Sequence, residues 1–176
     1  MSDALPFSHP VNVASLPDDG TTLRLAPDEA TRAAIAQDFG IPGVPALSAK
    51  VTLVPDHKGG VRVGGHVEAV VTQICVATLE PFDAPVSEEI DMHFVPEHRI
   101  EEPRPGAEIE VGSDDIPDVL VGDVVDVGGV VCEFLALGLD PYPRKPGAVF
   151  EGPNEGPDSE SPFAALKKLA TPPDED

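Results

Sequence analysis

From Val61 to Phe94, apolar and polar side chains change places at every second residue, a period that few folds can accommodate. Val61, Val63, Val67, Ala69 and Val71 alternate with Arg62, His66, Glu68 and Thr72. Farther on, Val86, Ile90, Met92 and Phe94 are set against Ser87, Glu89, Asp91 and His93, with Glu88 the one polar residue in the apolar register. Successive side chains of a strand point to opposite faces, so each run reads as a strand with one buried and one wet face. The stretch from Ser48 to Val95 therefore reads as an antiparallel meander. Its first strand carries Val51 and Leu53, and Asp56-His57-Lys58-Gly59-Gly60 supplies a hairpin turn. Gly64-Gly65 interrupts the second strand and predicts a bulge or a sharp bend there.

The flanking segments add helices. Phe7 to Val13 suits an edge strand because Pro10 cannot donate to a central ladder, and Thr21 to Leu25 follows the turn at Asp18-Asp19-Gly20. A helix is predicted from about Pro27 to Phe39: Pro27 fits the first turn, Asp28 and Glu29 suit the positive dipole end, and Gly40 stops it. A second helix is predicted over Val127 to Leu137, capped by Asp126, with Val127, Val130, Val131, Phe134 and Leu135 on one face. Gly128 and Gly129 make it a poor autonomous helix, so packing must hold it. Residues 97–115 are proline-broken and acidic, and read as a solvated loop or an inserted edge strand.

After Leu139 the chain passes through Asp140 to Gly147 and a Gly/Pro/Glu-rich stretch at 151–160, expected to be a mobile linker. Ser161-Pro162 then caps a short segment with Phe163, Leu166 and Leu169 on one face and Lys167 and Lys168 elsewhere. Such a segment either docks on its own domain or enters a partner groove. The predicted fold class is α+β: a bent antiparallel sheet, barrel-like if it closes, with two packing helices and a flexible C-terminal tail. The expected domain spans 1–146, with 147–176 as linker and amphipathic segment.

Charge narrows the function. The chain has 176 residues, a formal net charge of −21 and a pI near 4.3. Phosphate backbones are bound by Lys and Arg displacing counterions, so this balance argues against extensive contact with nucleic acid and against anionic membranes. It suits a basic partner or plain solubility. The acidity is uneven: residues 97–126 hold ten acidic side chains and two arginines. The first residues lack a basic and apolar leader pattern, and no apolar run approaches a membrane span, so the expected location is the cytoplasm.

Chemistry-bearing clusters are sparse. His93 and His98, with Asp91 and Glu97 nearby, are the one grouping a small metal-dependent enzyme would use, although His93 falls on the wet face of its strand. Cys75 and Cys132 read as a pair of buried small hydrophobes. No nucleophile elbow, phosphate loop or calcium-loop spacing occurs. No catalytic residue, metal ligand or cofactor is assigned.

Three blocks carry a resemblance. They are Cys75-Val-Ala-Thr-Leu-Glu-Pro-Phe82; Val125-Asp126-Val127-Gly128 leading through Phe134-Leu135-Ala136-Leu137 to Asp140-Pro141-Tyr142-Pro143; and Ser161-Pro162-Phe163-Ala164-Ala165-Leu166. In this order and spacing the chain resembles the YceD family of large ribosomal RNA subunit accumulation proteins. The resemblance implies a role in accumulation or maturation of large-subunit ribosomal RNA, without catalysis. Where many members have a C-x-x-C pair, Thr78 stands at the second position, and two thiols do not make a zinc site. The expectation is a non-enzymatic ribosome-biogenesis factor whose partner is a basic ribosomal protein or a large-subunit assembly intermediate. The expected partner-binding residues are Glu97, Glu101, Glu102, Glu108, Glu110, Asp114, Asp115 and Asp118 on the acidic stretch, with Pro162, Phe163 and Leu166 on the terminal segment. An acidic protein-binding adaptor unrelated to ribosomes is the third reading.

Overall fold

The alternating runs become the central strands of an open sheet. A computed structural model describes residues 5–56, 58–99, 117–150 and 152. In chain order the elements are β1 (Pro10–Asn12), a 3-10 turn at Val13–Ser15, β2 (Thr21–Leu25), α1 (Glu29–Phe39), β3 (Gly43–Pro55), β4 (Val61–Ile74) and β5 (Pro81–Pro96). A 3-10 turn at Glu97–Arg99, β6 (Asp118–Leu120), β7 (Val124–Asp126) and α2 (Val127–Leu137) complete the set. One sheet has the order β2-β3-β4-β5-β6, and β1 pairs with β7 in a second, two-stranded sheet. The fold is α+β as the sequence predicts, but the sheet does not close into a barrel. All ladders are antiparallel except β5–β6, which is parallel.

Burial follows the two-residue period. Val51, Leu53, Val61, Val63, Val67 and Val71 are sealed from solvent on the face that meets the helices, with Ile90 from β5 and Ile35, Val131 and Leu135 from α1 and α2. Each such side chain contributes about 1.5–3 kcal/mol by leaving water. The opposite face of β2–β5 is wet and carries Arg24, Lys50, Arg62, His66 and Glu68.

Several local expectations are corrected. The Gly64-Gly65 pair makes no bulge: the β3–β4 register runs unbroken from Ala46↔Val70 to Pro55↔Val61, and the irregularity sits at Gly43/Ala46 instead. Gly65 is needed because a Cβ there would collide with the Lys50 carbonyl. α1 starts at Glu29. Asp28 is its N-cap, accepting from the Thr31 N–H at 2.8 Å, so Pro27 precedes the helix rather than opening it. An edge strand lies at 118–120; the expected loop or inserted strand at 97–115 falls mostly on residues 100–116, which lie outside the described set. The inserted strand runs parallel to β5, which requires the long connection that 97–117 provides. It pairs only with Phe94, Val95 and Pro96. Among the described residues, no strand lies along the remaining 81–93 stretch of that edge.

α2 has the predicted bounds and the predicted cap. Asp126 Oδ1 accepts from the Gly129 N–H at 3.1 Å, and the same carboxylate also takes the His9 N–H at 2.7 Å and the Ser8 hydroxyl at 2.6 Å. One side chain thus caps the helix and ties down the N-terminal segment. Burial raises the Asp126 pKa, but the bonds from Ser8, His9 and Gly129 outweigh it and hold the carboxyl below its ordinary value. Gly128 has a steric reason: a Cβ would lie 2.8 Å from the His9 nitrogen and from the Phe7 carbonyl oxygen.

Candidate functional site

Where the acidic stretch returns to the sheet, the described surface is unusually apolar. The β6–β7 connection turns through Gly122 (φ 65°) and Asp123 (φ 55°), which leaves Val121 77% exposed. Beside it lies a groove of about 540 Å³. Its floor and walls come from Phe39 at the end of α1, Met92 and Phe94 of β5, Val119 and Val124 around the turn, and Val130 and Ala136 of α2. Four carboxylates line it, Asp38, Asp118, Asp126 and Glu133, and none forms an ion pair among the described residues; Asp126 is engaged by Ser8, His9 and Gly129, which leaves the other three to the rim. Among the described residues no Lys, Arg or His lines the groove. Cys132 also borders it, but burial, with Asp38 and then Asp126 nearby, pushes the thiol up to about 11, so it is a hydrophobe rather than a nucleophile. The arrangement is an apolar trough with a purely anionic rim, suited to binding and offering no acid–base pair.

A second feature joins the first two blocks of the resemblance. The β4–β5 connection closes on itself, the Cys75 N–H donating to the Glu80 carbonyl at 2.9 Å and the Leu79 N–H to the Cys75 carbonyl at 2.8 Å. The 140–145 segment then straps it. Gln73 Nε2 donates to the Asp140 carbonyl at 3.0 Å and the Val76 N–H to Pro143 at 2.9 Å; Lys145 Nζ reaches Glu80 Oε2 at 3.0 Å. The Lys145 N–H points at Cys75 Sγ, 3.4 Å away. The 140–145 segment, which falls within the expected 1–146 domain, is therefore fastened to the sheet.

Cys75 is also more than a core hydrophobe. It is 0% exposed yet stands outside the main hydrophobic cluster, beneath a thin cover of loop. Hydrogen bonding from Thr78, then from the Lys145 N–H, lowers its thiol to about 7. Leu79 holds a left-handed backbone (φ 60°) while 76% exposed, a costly combination for a leucine.

The histidines are not brought together around a metal. His93 Nε2 lies 3.4 Å from Asp56 Oδ2, and Arg99 Nη1 reaches the same oxygen at 3.0 Å. Burial raises the Asp56 pKa, but the Gly60 N–H, Arg99, the Lys58 N–H and His93 together hold the carboxyl far below the usual range. His93 is thus half-buried against the hairpin turn rather than free in solvent, and its carboxylate neighbour is engaged by a guanidinium. His98 is exposed in the 97–99 turn. Among the described residues no three of His, Cys, Asp and Glu converge.

Of the expected partner-binding residues, two are described. Glu97 is exposed at the exit of β5, and Asp118 opens β6 at the groove rim, paired in register with Phe94. Glu101, Glu102, Glu108, Glu110, Asp114 and Asp115, and Pro162, Phe163 and Leu166, lie outside the described residues. The apolar groove was not foreseen. Met92 and Phe94 carry the same alternation as core positions, so nothing in the pattern marks them as a half-covered floor.

No curated protein and no solved structure matches the chain significantly. The family model described as "Large ribosomal RNA subunit accumulation protein YceD" matches residues 63–170, from β4 through α2 and beyond, which is over half of the chain. The two blocks strapped together at Cys75 and Lys145 both fall inside that match, and on it the chain belongs to the YceD family.

Proposed function

We propose that this protein is a non-enzymatic ribosome-biogenesis factor, acting in accumulation of large-subunit ribosomal RNA by holding a basic polypeptide. The occupant is a basic ribosomal protein, or an assembly intermediate gripped through one. The observation that carries this reading is the groove beside Asp118: an apolar floor with carboxylates alone on its rim. A segment that interleaves apolar side chains with Lys or Arg satisfies both, the apolar groups leaving water and the cations meeting Asp38, Asp118 and Glu133. Rim charges act mostly on encounter rate and are screened beyond about 10 Å at 0.1 M salt, so association is strongest at low ionic strength.

The test is co-sedimentation of the purified protein with pre-large-subunit particles at low salt, alongside ribosomal RNA levels in a deletion strain. Asp118 and Glu133 are exposed, so Asp118→Lys/Glu133→Lys leaves the fold intact. That variant is expected to lose particle association and to fail to restore RNA levels. Unchanged RNA levels on deletion, together with no association of the parent protein, refute the reading.

A further inference from the structure

The wet face of β2 to β4 carries more cations than carboxylates, Arg24, Lys50 and Arg62 against Glu68, a local balance opposite to that of the whole chain. Register places Arg24 of β2 opposite Lys50 of β3, and Lys50 opposite His66 of β4, so three basic side chains form a row across neighbouring strands about 4.8 Å apart. Like charges directly opposite are destabilising, and neither Arg24 nor Lys50 has an ion-pair partner among the described residues. Arg62 stands beside this row, with Asp91 at 3.3 Å on the β5 side. The remaining carboxylates of this face are Glu68, 3.6 Å from His66, and on β5 Glu89 and Asp83, the last accepting from the Thr72 hydroxyl at 2.6 Å. Apart from Glu68, β2 to β4 carry the cations of this face, and the carboxylates gather on β5.

Gly64 supplies the second observation. Its neighbour Gly65 is demanded by the Lys50 carbonyl, but a Cβ on Gly64 would meet nothing closer than the Ile90 carbonyl at 3.8 Å. A mid-strand glycine without an internal steric reason weakens the strand and marks a place where something else approaches closely. Gly64 floors a hollow walled by Lys50, Thr52, Val54, Arg62 and His66, and a second hollow, reaching Arg24 and bordered by Glu68, shares Lys50 and His66 with it. Thr22 and Thr52, hydrogen-bonded at 2.9 Å, add hydroxyls in the same row as Gly64. Cations and hydroxyls around a flat floor are the groups that hold phosphate oxygens. No Phe, Tyr or Trp is on this part of the face, so it offers no stacking platform beyond the His66 ring.

We propose that the β2–β4 region of the open sheet face contacts the phosphate backbone of RNA, without base readout, through Arg24, Lys50, Arg62 and the hollow at Gly64. The reading of a role in ribosomal RNA accumulation guides the choice of polymer; the site itself rests on register and sterics.

The experiment is fluorescence anisotropy of a labelled 16-nucleotide oligouridylate with the full chain. Three Lys/Arg contacts give a salt slope near −2, so affinity is expected to fall about 20-fold between 50 and 200 mM salt. Arg24→Gln/Lys50→Gln/Arg62→Gln is expected to abolish binding. Gly64→Val, which fills the hollow, is expected to weaken it at least tenfold while raising the urea midpoint, because a β-branched residue suits the strand. Both variants keep groove-dependent association with pre-large-subunit particles, which separates this proposal from the protein-partner reading. Absence of oligouridylate binding at 50 mM salt, unchanged binding by either variant, or equal competition by an oligoglutamate peptide overturns it, the last assigning the face to acidic polypeptide.

Discussion

Gly128 and Gly129 are adjacent in the first turn of α2, yet their replacement by alanine is expected to act with opposite signs. In both cases alanine gains up to about 1 kcal/mol of helix propensity. At Gly129 the new Cβ meets only the far end of Leu5, at 3.0 Å, and Leu5 is an exposed side chain free to swing away. At Gly128 it meets backbone, with the His9 nitrogen and Phe7 oxygen both at 2.8 Å. Those atoms move only if the N-terminal segment lifts off α2. Three hydrogen bonds depend on that segment: Ser8 and His9 to Asp126, and the Val127 N–H to the His9 carbonyl at 3.0 Å. Two have a charged acceptor, so loss of the set costs about 4 kcal/mol, and partial retention brings it to roughly 3. Subtracting the helix gain, Gly128→Ala is expected to destabilise by about 2 kcal/mol, or about 4–8 °C in Tm, while Gly129→Ala is neutral to 1 kcal/mol stabilising. Urea unfolding followed by far-UV circular dichroism measures both. A Gly128→Ala protein as stable as the parent, or equal losses at both sites, refutes the steric account.

Acid unfolding should depend on Asp126 and Asp56. Both carboxyls sit below their ordinary pKa in the folded protein, so the stability they contribute is complete above about pH 4 and is lost as pH falls through the lowered folded values. Asp126→Asn is expected to flatten the acid limb of stability measured from pH 5 to 2, and an unchanged limb counts against it. In a Cys132→Ala protein the remaining thiol should titrate with a midpoint near 7 by thiolate absorbance at 240 nm; a midpoint near 9 would show that Thr78 and Lys145 do not reach Cys75. Gln73→Ala removes a fastening of the 140–145 strap, so tryptic cleavage after Arg144 should accelerate severalfold by mass spectrometry; an unchanged rate means the strap is held elsewhere.

What was legible in the sequence tracks what is local. Thr21–Leu25 and Val127–Leu137 have their predicted ends because turn and cap residues fix them within a few positions. The alternation placed Val61 to Val71 in the core because period two leaves no other face to bury. It did not separate Gly64 from Gly65, since the steric demand on Gly65 comes from Lys50 in the neighbouring strand. Nor did it find the groove, assembled from α1, β5, β6 and α2. Cys75 was legible as buried but not as hydrogen-bonded, because its partner at Lys145 is 70 positions away. In a similar way a whole-chain charge sum does not register the row of Arg24, Lys50 and His66, which forms only when the strands pair.

The short grip of β6 on β5 has a consequence for how the molecule behaves in company. β5 is sixteen residues long, the longest strand in the sheet, yet among the described residues only its last three pair on that side. Such a rim would ordinarily template fibril growth. Here Pro81 and Pro85 withhold two amide hydrogens, and Asp83, Glu89 and Asp91 would bring an approaching copy's acidic row against their own. Along 81–93 the edge is thus chemically guarded against self-stacking, and crowding favours the isolated fold over edge-to-edge chains.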